Sequence, residues 1–175
     1  MVLATLARDN PMMASIFLLG ITTGLRISDI LSIKTAQFGQ KFAVKTRKTG
    51  KKMGFILPED IWRFLEIYAN SRAHGHDDRL FPTSRQTVWR YFKNAGSEMG
   101  VAISPHDMRR IYAWHVLRSS GCLQTVRKAL GHKYVSVTVL YLIGAILWVA
   151  NVVSGQLSFK PAIEWQSIPS DYFWV

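Results

Sequence analysis

Cysteine is nearly absent: the 175-residue chain holds one, Cys122. A single thiol excludes an intramolecular disulfide and leaves no thiolate cluster for zinc, and it fits a reducing, cytoplasmic compartment. Long apolar runs are also missing. The longest, LIGAILWVANVV at 142–153, falls short of the roughly 20 residues that span a bilayer, so it reads as a core or partner-facing helix. The opening MVLATLARDNPMM has no basic stretch ahead of an apolar one, and no secretory signal is expected there. Acidic residues are scarce, with 11 Asp and Glu against 22 Lys and Arg, a formal charge of +11. A surplus of that size points to a polyanionic partner, nucleic acid first and an anionic membrane surface second. What is plentiful is apolar: 49% of the residues are hydrophobic, enough to build a core, and this length suits one domain.

The periodicity predicts a mainly helical α+β chain with one β-hairpin. Asn10-Pro11 opens a helix that runs through Met12 to Ile21 and stops at Gly24. A second helix is expected from about Ser28 to Thr35, which places Arg26 in a tight connection. FAVKT and GFILP flank RKTGKK, so Phe42 to Leu57 reads as a hairpin with a basic tip near Gly50. Pro58, Glu59 and Asp60 open a helix to about Ala69, and the polar SRAHGHDDR follows as a loop. Val88, Tyr91, Phe92 and Ala95 share one helical face that ends at Gly100. Ser104 is the expected N-cap of the next helix, with Pro105 and Asp107 in its first turn, so His106 and Arg109 lie on one face there. CLQTVRKALG is a short helix ended by Gly131, and Ser136 is the expected cap of a last helix from Val137 to Val153.

TGLRISDIL at 23–31, the RKTGKK tip, HDMRR at 106–110 and LGHKYVSVTVLY at 130–141 occur in this order. Together they resemble the tyrosine recombinases, also called the phage integrase family, over residues 15–141. The resemblance implies Arg26 as the first catalytic arginine and Lys48 as the hairpin lysine. It matches His106 and Arg109 to the His-x-x-Arg pair, His132 to the second histidine, and Tyr141 to the nucleophile. Lys51 is the alternative hairpin lysine. Lys45, Arg47, Lys51, Lys52 and Arg110 are candidate DNA contacts, with Arg110 and His115 open to a structural role as well.

These residue types suit the chemistry. Exchanging a phosphodiester for a phosphotyrosine needs a nucleophile, a proton acceptor, an acid for the leaving group and a cationic cradle. Guanidinium forks match two non-bridging phosphate oxygens and stay charged. A lysine can return a proton to a departing 5′-hydroxyl. The resemblance accordingly implies Arg26, Arg109 and His132 on the scissile phosphate, Lys48 as general acid, His106 assisting proton transfer and Tyr141 attacking, with no metal or ATP.

Each residue alone has a plainer reading. Arg26 is an ordinary helix-end arginine that Asp29 pairs with, although in the family an acidic residue there supports the arginine. The tip from Lys41 to Lys52 holds six cations and no acid, and such runs are usually solvated. A tyrosine on an apolar helix is usually core, and HGHDD at 74–78 reads as an exposed loop without further metal ligands. Only the joint pattern favours a site.

The expectation is a single catalytic domain over 1–175, with 142–175 as C-terminal helix and tail and without the helical core-binding domain that family members carry ahead of it. An accessory protein or a separate core-binding domain would then complete the clamp. The tail, with Trp165, Phe173 and Trp174, is a candidate docking element, a cover for the core, or a degenerate terminus that exposes an apolar patch. Double-stranded DNA is the expected partner, bound by a homo-tetramer, with no membrane partner. The alternatives are a catalytically silent DNA-binding regulator of the same fold and a type IB topoisomerase-like nicking and closing enzyme.

Overall fold

Asn10 and Gly24 delimit the helix on which the rest is built. The Asn10 side chain accepts the N–H groups of Met12 and Met13, Pro11 takes the first helical position, and Gly24 ends the helix at φ 64°. That left-handed conformation suits glycine. Between them α2 (Pro11–Thr23) buries almost its whole circumference, including Met13, Ile16, Phe17 and Leu19. A helix apolar on every side belongs in an interior.

The computed structural model describes residues 2–72 and 78–153, with side chains to 146. Around α2 the chain order is α1 (Val2–Asp9), α3 (Ile27–Ile30), β1 (Lys41–Lys45), β2 (Lys52–Ile56), α4 (Glu59–Arg72), α5 (Arg85–Glu98), α6 (Pro105–Ser120), α7 (Leu123–Ala129) and α8 (Val135–Val153). Helices α1, α4, α5 and α6 pack on α2, and α6 also carries α7 and α8 on its other side. Two cores result. The larger surrounds α2 with Leu65 of α4, Phe92 of α5 and Met108 of α6, and the smaller joins Tyr112, Val116, Val126 and Leu142. Each fully buried side chain of this size contributes about 1.5–3 kcal/mol, so α6, which borders both cores, ties the two halves together.

The antiparallel hairpin pairs Lys41 with Ile56 and Lys45 with Lys52. Phe42 and Val44 face inward, as strand alternation requires. Phe42 stacks on Phe55 at 5.4 Å and meets Phe38, which lies 5.7 Å from Trp62 of α4. This aromatic seam anchors the base of the hairpin, while the lysines of β1 and β2 point outward.

The mainly helical α+β class and the hairpin match the sequence expectation; three boundaries differ and one helix is additional. Helix α3 stops at Ile30 instead of near Thr35, because Ile33 and Thr35 give their backbone groups to Leu80 and Asp78 and Lys34 bridges to Arg79. The chain then makes only a single 3-10 turn at Thr35–Gln37. Ser136 is not the cap of α8: the His132 N–H bonds back to Arg127, the chain turns within 131–134, and the helix begins at Val135. Helix α4 runs on to Arg72. Helix α1 was not anticipated; Leu6 is fully buried and anchors its short apolar face. Most of HGHDD, and Trp165, Phe173 and Trp174 in the tail, lie outside the described residues.

Candidate active site

Three chain turns bring the site together. At the first, Gly24 bends the chain out of α2, Leu25 is buried, and Arg26 takes the N-cap position of α3. At the second, the hairpin tip folds back over α3. The tip is closed by Thr46, whose N–H bonds to the Lys51 carbonyl at 2.8 Å and whose hydroxyl meets that of Thr49 at 2.7 Å. Asp29 fastens it: its buried Oδ1 accepts the Arg47 N–H at 2.9 Å. The carboxylate thus serves the tip backbone instead of forming the anticipated ion pair with Arg26, and its buried Oδ2 has no hydrogen-bond partner.

The third turn is the start of α6. Ser104 occupies the N-cap as expected, with its N–H and hydroxyl donating to Asp107 Oδ2 at 2.8 and 2.6 Å. His106 is exposed, whereas Arg109 is only 5% exposed. The Arg109 guanidinium donates to the carbonyls of Gly24 and of Leu130, the latter at 3.0 Å. Both carbonyls lie at helix C-termini, those of α2 and α7, where the helix dipoles leave partial negative charge. A buried cation is tolerable there because the two helix ends compensate it.

Tyr141 of α8 lies where these parts meet. Its hydroxyl is 3.4 Å from His106 Nδ1, and it lies near enough to Arg109 to act on that guanidinium electrostatically. Its ring stands edge-on to the His132 ring at 5.4 Å. His132 is placed by the left-handed Gly131 and by its Nδ1, which is 3.1 Å from the Thr138 hydroxyl. Burial, then the charges of Arg109, Arg26 and Lys48, push its titration down to about 4. Burial likewise lowers the Arg109 value. All three cations named for the site therefore act on one imidazole, which is neutral at pH 7.

A recess between α2, the hairpin tip and α7 is lined by Arg26, Asp29, Thr46, Lys51 and Arg109 among others. Of the two hairpin lysines, Lys51 lines the recess, whereas Lys48 is exposed in the tip turn outside its lining, close enough for its charge to act on His132. Lys45 and Lys52 are exposed and directly opposite each other across the hairpin. Like charges so paired cost stability, a cost that a bound polyanion removes. Arg47 is exposed beside them. Arg110 is engaged within the domain: it pairs with Asp107 at 2.8 Å and its guanidinium lies along Gly144 of α8. Thr138 and the partner of Asp29 escaped the sequence reading. The spacing signal for Thr138 was present, since it stands one helical turn before Tyr141.

A tyrosine hydroxyl set against a histidine and a buried arginine, beside a recess rimmed with further cations, has the parts of a phosphoryl-transfer site that needs a bound phosphodiester to complete it. Among the described residues no group of three or more His, Cys, Asp or Glu is placed to hold a metal, and no helix is long and apolar enough to cross a membrane. Residues 3–144 match the phage integrase family, and the chain belongs to it. It is 31% identical over 140 residues to tyrosine recombinase XerA of Pyrococcus furiosus, covering 72% of this chain and 48% of that one. The chain thus spans about half the length of the relatives it matches. Its fold is similar to the crystal structure of XerA recombinase, with a TM-score of 0.69 at 22% identity over 86% of this chain and 58% of the other. It is also similar to a lambda integrase tetramer bound to a Holliday junction, with a TM-score of 0.61 at 20% identity over 80% and 44% of the two chains.

Proposed function

We propose that this domain cuts and rejoins DNA strands at specific sites through a 3′-phosphotyrosyl intermediate. The observation that carries the reading is the convergence of His106, Arg109 and His132 on Tyr141 beside a recess lined by Arg26 and the hairpin lysine Lys51. Arg26, Arg109 and His132 hold the non-bridging oxygens of the scissile phosphate. Tyr141 Oη attacks phosphorus and passes its proton to His106. The P–O5′ bond breaks and Lys48 supplies the proton to the departing 5′-hydroxyl. Attack by a 5′-hydroxyl reverses each step, so the bond energy is kept. The exposed Lys45, Arg47, Lys51 and Lys52 track the backbone of the duplex, and the half-buried Arg110 reaches it only from its pair with Asp107.

The functional assembly in this reading is a homo-tetramer on two duplex sites, completed by core-binding segments supplied by further chain or by a partner. The tetrameric lambda integrase complex supports it. So does the apolar outer face of α8, where Leu140 is 71% and Ile143 48% exposed.

The test uses nicked duplexes bearing the inverted repeats that flank the gene. A protein–DNA adduct that survives a denaturing gel and maps to the Tyr141 peptide is expected. Binding without an adduct would replace this reading with that of a silent regulator. Relaxation of supercoils without a second site would indicate a topoisomerase-like enzyme.

The acid role has its own outcome. Lys48→Met is expected to slow cleavage about 10²–10⁴-fold on an ordinary phosphodiester. On a duplex with sulfur in the bridging 5′ position the rate recovers, because a thiolate leaves without a proton. Loss and recovery with Lys51→Met instead would assign the acid to Lys51.

A further inference from the structure

Thr138 is wholly buried, and its hydroxyl lies 3.1 Å from His132 Nδ1. Several other hydroxyls within the helices of this chain behave differently. Those of Ser15, Thr22, Thr23, Ser119 and Ser120 each bond to a carbonyl of the preceding turn. Thr138 turns to a side chain six residues earlier in the sequence. We propose that Thr138 is a positioning residue: its hydroxyl donates to His132 Nδ1 and holds the single proton of the neutral imidazole on Nε2, where it meets a phosphate oxygen. This rests on the strand-transfer reading above, and it adds a residue to that site.

The need for such a lock follows from the electrostatics. Burial, and then the nearby charges of Arg109, Arg26 and Lys48, keep His132 neutral at pH 7, so the ring has one N–H to place. Those same cations attract a lone pair and repel an N–H. Left to their field, the ring turns a bare nitrogen toward those cations, and a bare nitrogen repels a phosphate oxygen. A donor at Nδ1 reverses the preference, since the nitrogen that accepts a hydrogen bond cannot keep its own proton. A wholly buried hydroxyl without that bond would also be costly.

The position of Thr138 gives the lock a second property. It lies three residues before Tyr141 on α8, and the His132 ring packs edge-on against the Tyr141 ring. The helix that delivers the nucleophile therefore also sets the tautomer of the phosphate-binding histidine. If α8 leaves its seat, both are lost together.

The experiment is a long-range 1H–15N spectrum of the full chain labelled at histidine, recorded at pH 7, with His132→Gln used to assign the signal. The wild type is expected as the Nε2–H tautomer, and Thr138→Ser should keep it. Thr138→Val, equal in shape but without a donor, is expected to shift at least half of the population to Nδ1–H. It is also expected to slow cleavage of the nicked duplex about 10–100-fold with DNA affinity unchanged, and Ser should restore the rate. A wild-type His132 carrying its proton on Nδ1 would overturn the proposal whether or not Thr138→Val folds. A folded Val variant with the wild-type tautomer and rate would overturn it equally. Failure of the strand-transfer reading looks different: wild type shows no adduct, while the spectra still decide the tautomer.

Discussion

Arg109→Ala is expected to lower strand cleavage about 10³–10⁵-fold, the range lost when an arginine that stabilises a phosphoryl-transfer transition state is removed, and to destabilise the free protein as well. The second effect separates Arg109 from an ordinary phosphate-binding arginine on a surface. Its guanidinium is buried and donates to the Gly24 and Leu130 carbonyls, so it joins the C-termini of α2 and α7 to the first turn of α6. Deleting it leaves two helix-end carbonyls unpaired, at about 1–3 kcal/mol each. Against this stands the relief of desolvating a cation, which for isolated buried charges is large. The two helix dipoles already offset much of that penalty, so the loss wins, and a net destabilisation of about 2–4 kcal/mol is expected in urea unfolding. Arg109→Lys keeps the charge but cannot span two carbonyls and two phosphate oxygens at once. It should recover part of the stability and little of the rate. A stable Ala variant that is merely slow would show that the helix ends do not depend on the guanidinium.

The parts of this site that were legible in the sequence share a property: local geometry announces them. Ser104, Pro105 and Asp107 mark a helix start without ambiguity, so the placement of His106 and Arg109 in one first turn followed directly. Gly24 and Gly131 mark helix ends, and Arg26 and His132 stand just beyond them. The hairpin was read from two apolar runs around a basic tip. What could not be read depends on partners distant in the chain. Helix α3 is short because the segment around Leu80 claims the backbone that would have extended it. Asp29 faces the Arg47 N–H, and nothing within its own helix reveals that. Arg110 resembles Arg109 in sequence but lies on the side of α6 that meets α8, where Asp107 and Gly144 engage it. His106 and Arg109 share a face, yet one is exposed and the other buried, because the ends of α2 and α7 close over the second.

Gly24→Ala is expected to be the most damaging single methyl group in the site, at about 2–5 kcal/mol. Two independent costs add. The residue sits at φ 64°, a conformation that costs an L-amino acid about 1–2 kcal/mol. Its Cβ would also stand 2.2 Å from Cδ1 of the Tyr112 ring, far inside van der Waals contact. Tyr112 cannot yield easily, because it is packed into the smaller core with Val116 and Val126, and burial holds its hydroxyl up at about 12. Overpacking of this kind costs about 1–3 kcal/mol. With a domain stability of about 5–15 kcal/mol and a urea slope near 2 kcal/mol/M, the midpoint should fall by about 1–2.5 M. The function should suffer beyond the stability loss. Gly24 supplies the carbonyl that Arg109 grips and stands two residues before Arg26, so relieving the clash by moving the turn displaces both arginines at once. Cleavage measured well below the new melting temperature separates the two effects. If the folded variant cuts at the wild-type rate, the turn is only a helix stop; if it stays slow while fully folded, the geometry of this one glycine sets the spacing of the two arginines on the phosphate.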